Sequence, residues 1–241
     1  MVLGRASDMG DIPADPNGRG NVLCHTPGVS DRTFRTALGA IAAVGVALRI
    51  FHIRRVHTGV VEFGDAETYR LLGELLADGE GYIRPREFLF TGERIPTAEF
   101  PPLWPMLLGV LDLFGFDGAN EQRAFGALLG GLTIVVIGLL AAALVDRRVG
   151  LVAAALTAGY PQLIVIDTSL LAEGLTILLI AVARLGLVRA RQADGGVLGV
   201  AGRRWWLLAS AALGLAALTR SEVVLLSIVL VVPACRAVDR L

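Results

Sequence analysis

Cysteine is scarce in this chain. Cys24 lies in a polar tail and Cys235 at the far end of an apolar run, without the spacing of a metal site or a disulfide framework. Charge is scarce as well, at 18% of residues against about 25% in an ordinary soluble domain. The 22 Lys+Arg and 22 Asp+Glu balance, so there is no basic face for nucleic acid and no acidic solubilising tail. Nucleic acid is thereby excluded as a partner. The first thirty or so residues lack the apolar core of a cleavable signal, and no glycine-rich phosphate loop stands between a strand and a helix. What the chain has in quantity is apolar residues, 54% of 241. That composition belongs to a bilayer.

A helix needs about 20 mostly apolar residues to cross the hydrocarbon core. The spacing predicts an all-α polytopic membrane protein with about six crossings. Residues 1–32 read as a disordered cytoplasmic tail. Thr33 to Ile53 is the first crossing, with Arg49 snorkelling to the interface on its long stem and Arg54-Arg55 at its end. Residues 54–122 form a loop outside the membrane. Within it, Asp65 to Asp78 carries Tyr69, Leu72, Leu75 and Leu76 on one side and Glu67, Arg70, Glu74 and Asp78 on the other, and it stops at Gly79 and Gly81. Such a short amphipathic helix lies in the interface. A second one starts at Pro101-Pro102 and runs to Gly115. Residues 123–241 hold the remaining five crossings, at 124–145, 150–166 (bent near Pro161), 168–188, 205–219 and 223–238.

Arginine placement in short loops sets the orientation. Arg147, Arg148, Arg189, Arg191, Arg203, Arg204, Arg236 and Arg240 fall on one side, which is cytoplasmic, and Arg32 and Arg35 agree. Arg54 and Arg55 dissent, beside a long segment whose charges count for less. Trp205 and Trp206 read as a cytoplasmic interfacial belt. The polar interruptions Asp167, Glu173 and the Arg220/Glu222 pair then lie near the opposite face. Each charge costs about 2.5–3.5 kcal/mol at the bilayer centre, so their clustering points to a polar site at the outer leaflet, roofed by the two interfacial helices.

Asp65 is either the N-cap of its helix or a general base for a hydroxyl acceptor. Glu67 suits the helix dipole without further function. Glu99, before Phe100-Pro101-Pro102, is a loop acid or a metal ligand. Arg220 and Glu222 pair with each other or with the headgroup zone, and an arginine there suits a lipid phosphate. Glu173 pairs with an arginine or an ion, or faces water.

Four stretches, FGDAETYRLLGELLADGEGY, EFPPLWPMLLG, AALTAGYPQLIVIDTSLLAEGL and GLAALTRSEVVLL, occur in an order that resembles the GT-C integral-membrane glycosyltransferases, in the branch with the dolichyl-phosphate-mannose protein mannosyltransferases and the lipid A aminoarabinose transferase. The resemblance implies a polyprenyl-phosphate sugar donor, inversion at the anomeric carbon, and a glycan, lipid or protein acceptor on the extracytoplasmic face of the cell membrane. It implies Asp65 as the catalytic base and Glu99 as a ligand to a divalent metal ion at the donor phosphate. Glu67, Tyr69, Pro101, Pro102, Glu173, Arg220 and Glu222 are expected along the substrate path. Phe100 departs from the basic residue or histidine usual at its position. Relatives of this kind have further crossings, so a non-catalytic truncated scaffold of the same fold is the second expectation.

Overall fold

A computed structural model of the chain describes residues 29–56, 64–193, 199–226 and 229. Residues 1–28 of the expected tail, and most of the expected crossing at 223–238, lie outside the described residues, and Asp31 and Arg32 belong to the first helix. Nine helices are found among those described: α1 (Asp31–Val56), α2 (Asp65–Ala77), α3 (Pro85–Thr91), α4 (Leu103–Leu113), α5 (Ala119–Leu144), α6 (Arg147–Gly159), α7 (Pro161–Thr168), α8 (Glu173–Gln192) and α9 (Val200–Ala217). The one β feature among them is an isolated bridge, Ile83 to Pro96. The chain is an all-α polytopic membrane protein.

By length and apolarity, α1 and α5 are each able to cross a bilayer, and α6 with α7, bent by 59° at the break, meets the same test as a pair, as a broken span or a re-entrant loop. The bend follows from Pro161, which starts α7 and has no N–H to continue the ladder of α6. Both α8 and α9 carry arginines within their own turns, Arg184, Arg189 and Arg191 in one and Arg203 and Arg204 in the other. Three helix starts depart most from expectation. Ahead of the predicted start, α5 begins at Ala119 and buries Gln122 and Arg123. The start of α9 likewise comes forward to Val200. By contrast α8 begins only at Glu173, because Leu170 turns left-handed at φ 55° and interrupts the run.

Arg49 corrects the sequence reading. It does not snorkel; its side chain is fully buried and its Nε donates to Asp167 Oδ2 at 2.7 Å. A carboxylate 118 residues away supplies the partner that hydropathy alone does not reveal.

Contacts between helix ends show which elements share an end of the bundle. Arg147 donates to the carbonyl of Val29 at 2.8 Å, and Gln192 to that of Ala143, also at 2.8 Å. The start of α1, the α5–α6 corner and the end of α8 therefore lie together, with Arg147, Arg148, Arg189 and Arg191 among them. At the other end, the backbone N–H of Leu103 donates to the carbonyl of Leu218, 3.0 Å away, tying the start of α4 to the end of α9.

That second end carries a plate made of α2 and α4. They approach until a Cβ built on Gly73 would stand 3.0 Å from the backbone nitrogen of Gly109, and one on Gly109 would stand 2.8 Å from the carbonyl oxygen of Gly73. Only hydrogens fit between them. The plate's apolar side, Tyr69, Trp104 and Leu108, packs on Ala172 and Leu175 of the α7–α8 region, with Phe125 and Leu129 of α5 alongside. The sequence predicts two helices between residues 54 and 122; α3, at Pro85–Thr91, is a third helix between them.

Candidate functional site

Gly64, at φ 74°, is the residue preceding α2, and Asp65 is the first helical residue. Asp65 is therefore not the N-cap, and no side chain caps this helix. Thr68 closes the first turn instead, giving both its backbone N–H and its hydroxyl to the carbonyl of Gly64. The Asp65 carboxylate is left for the opening beside it.

That opening is a cavity of about 320 Å³ lined by Asp65, Thr68, Arg84, Arg86, Glu87 and Glu99, with Phe100 at its edge. A second cavity of about 440 Å³ shares Thr97, Glu99 and Phe100 with it and extends past Tyr82, Pro101 and Pro102 to Ala217 and Ser221 at the end of α9. Glu99 and Phe100 thus stand on the partition between two adjoining spaces. Phe100 is held there by its ring, edge-on to Tyr69 at 5.1 Å, and by its carbonyl, which accepts from the Tyr82 hydroxyl at 2.9 Å. An aromatic in place of a basic residue at this position has a packing function.

Beyond the second cavity, Arg220 follows α9. One guanidinium nitrogen donates to Glu173 at 2.5 Å, the other to Glu222 at 3.5 Å. The pairing with Glu173 joins the start of α8 to the end of α9. A buried Thr176–Thr219 hydroxyl contact of 2.7 Å lies alongside. The Glu222 hydrogen bond and the two carboxylates hold the guanidinium more firmly protonated than usual. Glu222, fully exposed, has its carboxyl kept below the ordinary range by its own backbone N–H and by Arg220.

Tyr69 links the two halves. Burial pushes its hydroxyl up to about 12, and the charges of Glu173, Asp65 and Glu222 add to that while Arg220 opposes them. The charges of α2, of the start of α8 and of the segment after α9 are thus all felt at one phenol. Tyr69 itself belongs to the packed interior of the plate, 7% exposed. Glu67 turns away to accept from Arg86 at 3.0 Å, tying α2 to α3.

Among the described residues, no three His, Cys, Asp or Glu side chains are placed to hold a metal ion between them. A magnesium-type site that takes one or two carboxylates and completes itself with substrate phosphates needs less. Glu99, on the partition, suits that sparser arrangement.

The structure brings Asp65, Glu99, Pro101 and Pro102 onto adjoining cavities and gathers Glu173, Arg220 and Glu222 next to them. The residues missed in the sequence are Tyr82, Arg84, Arg86, Glu87 and Thr97. One signal is present there: Arg84-Pro85 places proline in the first turn of a helix, where its missing N–H costs nothing.

The family model for dolichyl-phosphate-mannose-protein mannosyltransferase matches residues 100–237, more than half of the chain. The match begins at Phe100 and includes the Glu173–Arg220–Glu222 cluster, while Asp65 and Glu99 precede it. No curated protein and no solved structure matches.

Proposed function

The chain belongs to the dolichyl-phosphate-mannose-protein mannosyltransferase family, and from that premise we propose that it moves a sugar from a polyprenyl-phosphate donor to an acceptor hydroxyl at the extracytoplasmic face. The placement of α2–α4 at the end of the bundle opposite the arginine-bearing corners supports that orientation. The observation that carries the reading is the docking of α4 on the end of α9, which sets the cavities lined by Asp65 and Glu99 beside an arginine held by Glu173 and Glu222.

In the proposed step the acceptor enters the cavity beside Asp65, and the Asp65 carboxylate takes the hydroxyl proton as the oxygen attacks the anomeric carbon. The new C–O bond forms as the bond from that carbon to the phosphate oxygen breaks. A single displacement inverts the centre, and polyprenyl phosphate leaves with the electron pair. Arg220, with its plane fixed by Glu173 and Glu222, neutralises the charge growing on the phosphate. A divalent ion bound by Glu99 would supply further charge neutralisation at that phosphate. The bilayer holds the donor at one depth, which gives proximity without a nucleotide-binding domain. The acceptor is a hydroxyl of a glycan, a lipid or a protein.

The test uses membranes from cells expressing the wild type or Asp65→Asn, supplied with radiolabelled mannosyl polyprenyl phosphate. Transfer by the wild type should fall by about 10²–10⁴-fold in the variant. Equal transfer by both removes Asp65 from the base position, and label that neither form moves above empty membranes defeats the reading for this donor.

A further inference from the structure

Arg49 and Asp167 lie outside both cavities, yet more is built around them than an ion pair needs. Arg49 holds three elements at once. Its Nε donates to Asp167 Oδ2 in α7 at 2.7 Å, and its Nη1 donates both to the carbonyl of Gly45 in α1 at 3.0 Å and to that of Ala158 in α6 at 3.3 Å. Ala158 is in the last turn of α6, where carbonyls lose their intrahelical partners. One guanidinium therefore spans the break between α6 and α7. Further along α1, His52 Nδ1 meets the Thr168 hydroxyl at 2.9 Å, so α1 grips the end of α7 at two successive residues.

The pair sits among glycines. A Cβ at Gly130 would collide with both Asp167 Oδ2 and Arg49 Nε, one at Gly126 with the Asp167 carbonyl, and one at Gly174 would stand 2.8 Å from Asp167 Oδ1. Those glycines come from α5 and α8, the two helices that flank the corner. The sequence thus clears room on two sides for a single carboxylate.

Downstream of Asp167 the chain runs directly to the candidate site. Leu170 adopts φ 55°, and its carbonyl accepts the indole N–H of Trp104 at 2.8 Å. Next comes Glu173, the partner of Arg220. The short stretch from Asp167 to Glu173 thus connects the bracket at the bend with both the plate and the ionic cluster.

We infer that Arg49 and Asp167 are positioning residues for sugar transfer: by fixing the α6–α7 bend they set where Leu170 anchors the Trp104 side of the plate and where Glu173 holds Arg220. The consequence for transfer rests on the function proposed above; the consequence for Trp104 does not. A buried pair that served stability alone would be replaceable by apolar residues of similar volume. A positioning pair would not be.

The full chain carries three tryptophans, Trp104, Trp205 and Trp206. With Trp205→Phe and Trp206→Phe as background, Trp104 alone reports its surroundings. Into this background go Arg49→Met/Asp167→Leu, which removes both charges, and Arg49→Lys, which keeps the charge but not the fork. Each protein is purified in detergent for melting and Trp104 emission, and its membranes are assayed with radiolabelled mannosyl polyprenyl phosphate at varied concentration. The double replacement should melt within a few degrees of its parent, shift Trp104 emission to the red by several nanometres, and lower kcat at least tenfold with KM for the donor changed less than threefold. Arg49→Lys should give the same signs at smaller size. Parental emission and parental kcat in a folded double replacement overturn the inference. Should that protein not fold, Arg49→Lys decides: unchanged emission and kcat overturn it, a red shift without lost melting supports it. If the parent moves no sugar, the functional reading fails by itself, and Trp104 emission still tests the positioning.

Discussion

The indole N–H of Trp104 donates to the carbonyl of Leu170 at 2.8 Å, and both residues are buried, at 2% exposure each. This bond joins the plate to the one non-glycine residue among those described that has a left-handed backbone. Trp104→Phe keeps an aromatic ring against Phe125, its stacked neighbour at 6.3 Å, but leaves the Leu170 carbonyl without its donor. The expected cost is about 1–3 kcal/mol, read as a lowered melting temperature by circular dichroism, with a fall in sugar transfer because the turn ahead of Glu173 loosens. Unaltered melting would show that the carbonyl finds another donor.

Arg220 reaches two carboxylates with separate nitrogens. Lysine has one ammonium and no plane, so Arg220→Lys cannot hold the same orientation toward a phosphate. Transfer should drop by roughly 10²-fold or more, measured as label released from the donor lipid at saturating concentration. Glu173→Gln should cost less, since Glu222 still restrains the guanidinium. The opposite order of severity would mean that Glu173 acts on the substrate directly.

Several features are legible in the chain itself. The apolar stripe through Tyr69, Leu72 and Leu75 and the stop at Gly79 locate α2 closely, because periodicity and left-handed glycine are local properties. The bend at Pro161 is local too. The part played by Arg49 is not legible, because it depends on Asp167, which is distant in sequence, and on glycines in two further helices. The start of α2 is ambiguous between Gly64 and Asp65, since both residue types are acceptable N-caps and only the backbone angle separates them. The helix α3 escapes detection because so short a segment displays no period. Asp65, Glu99 and Arg220 stand out as charges in an apolar chain; that the cavities lined by Asp65 and Glu99 lie beside the Arg220 cluster follows from α4 docking on α9, which no spacing reveals.

Asp112 provides a pH test outside the spanning helices. Its Oδ1 accepts from the Gln122 amide at 2.6 Å, while its Oδ2 and the Gln122 Oε1 are buried without partners. Burial raises the carboxyl above its usual range against the pull of Gln122. Below the unfolded value of about 3.9 both states hold the proton and the group is neutral to stability. As pH rises past it, the unfolded chain ionises first, so stability is lost until the native group has ionised as well. Melting temperature measured from acid to neutral pH should therefore fall less steeply for Asp112→Asn than for the wild type, and the variant should be at least as stable at neutral pH. A steeper fall in the variant would mean that the ionised carboxylate is the favoured native form.

Glu99 is expected to act at the donor phosphate through a divalent ion. Chelation with EDTA and the substitution Glu99→Gln should each lower transfer, and chelating the variant should lower it no further. An additional loss in the chelated variant would place the ion on other ligands.

The backbone contact between Gly73 and Gly109 leaves no room for a side chain at the closest approach of α2 and α4. A seam of that kind is intolerant of drift, since any enlargement at either position separates the helices. The opening beside Asp65 has a different border, α3, which is tied to α2 by the exposed Glu67–Arg86 pair. Diversification among descendants of this chain should therefore concentrate on α3 and the segment after it. With the acceptor entering beside Asp65 as proposed, a lineage changes its acceptor there while inheriting the frame unchanged.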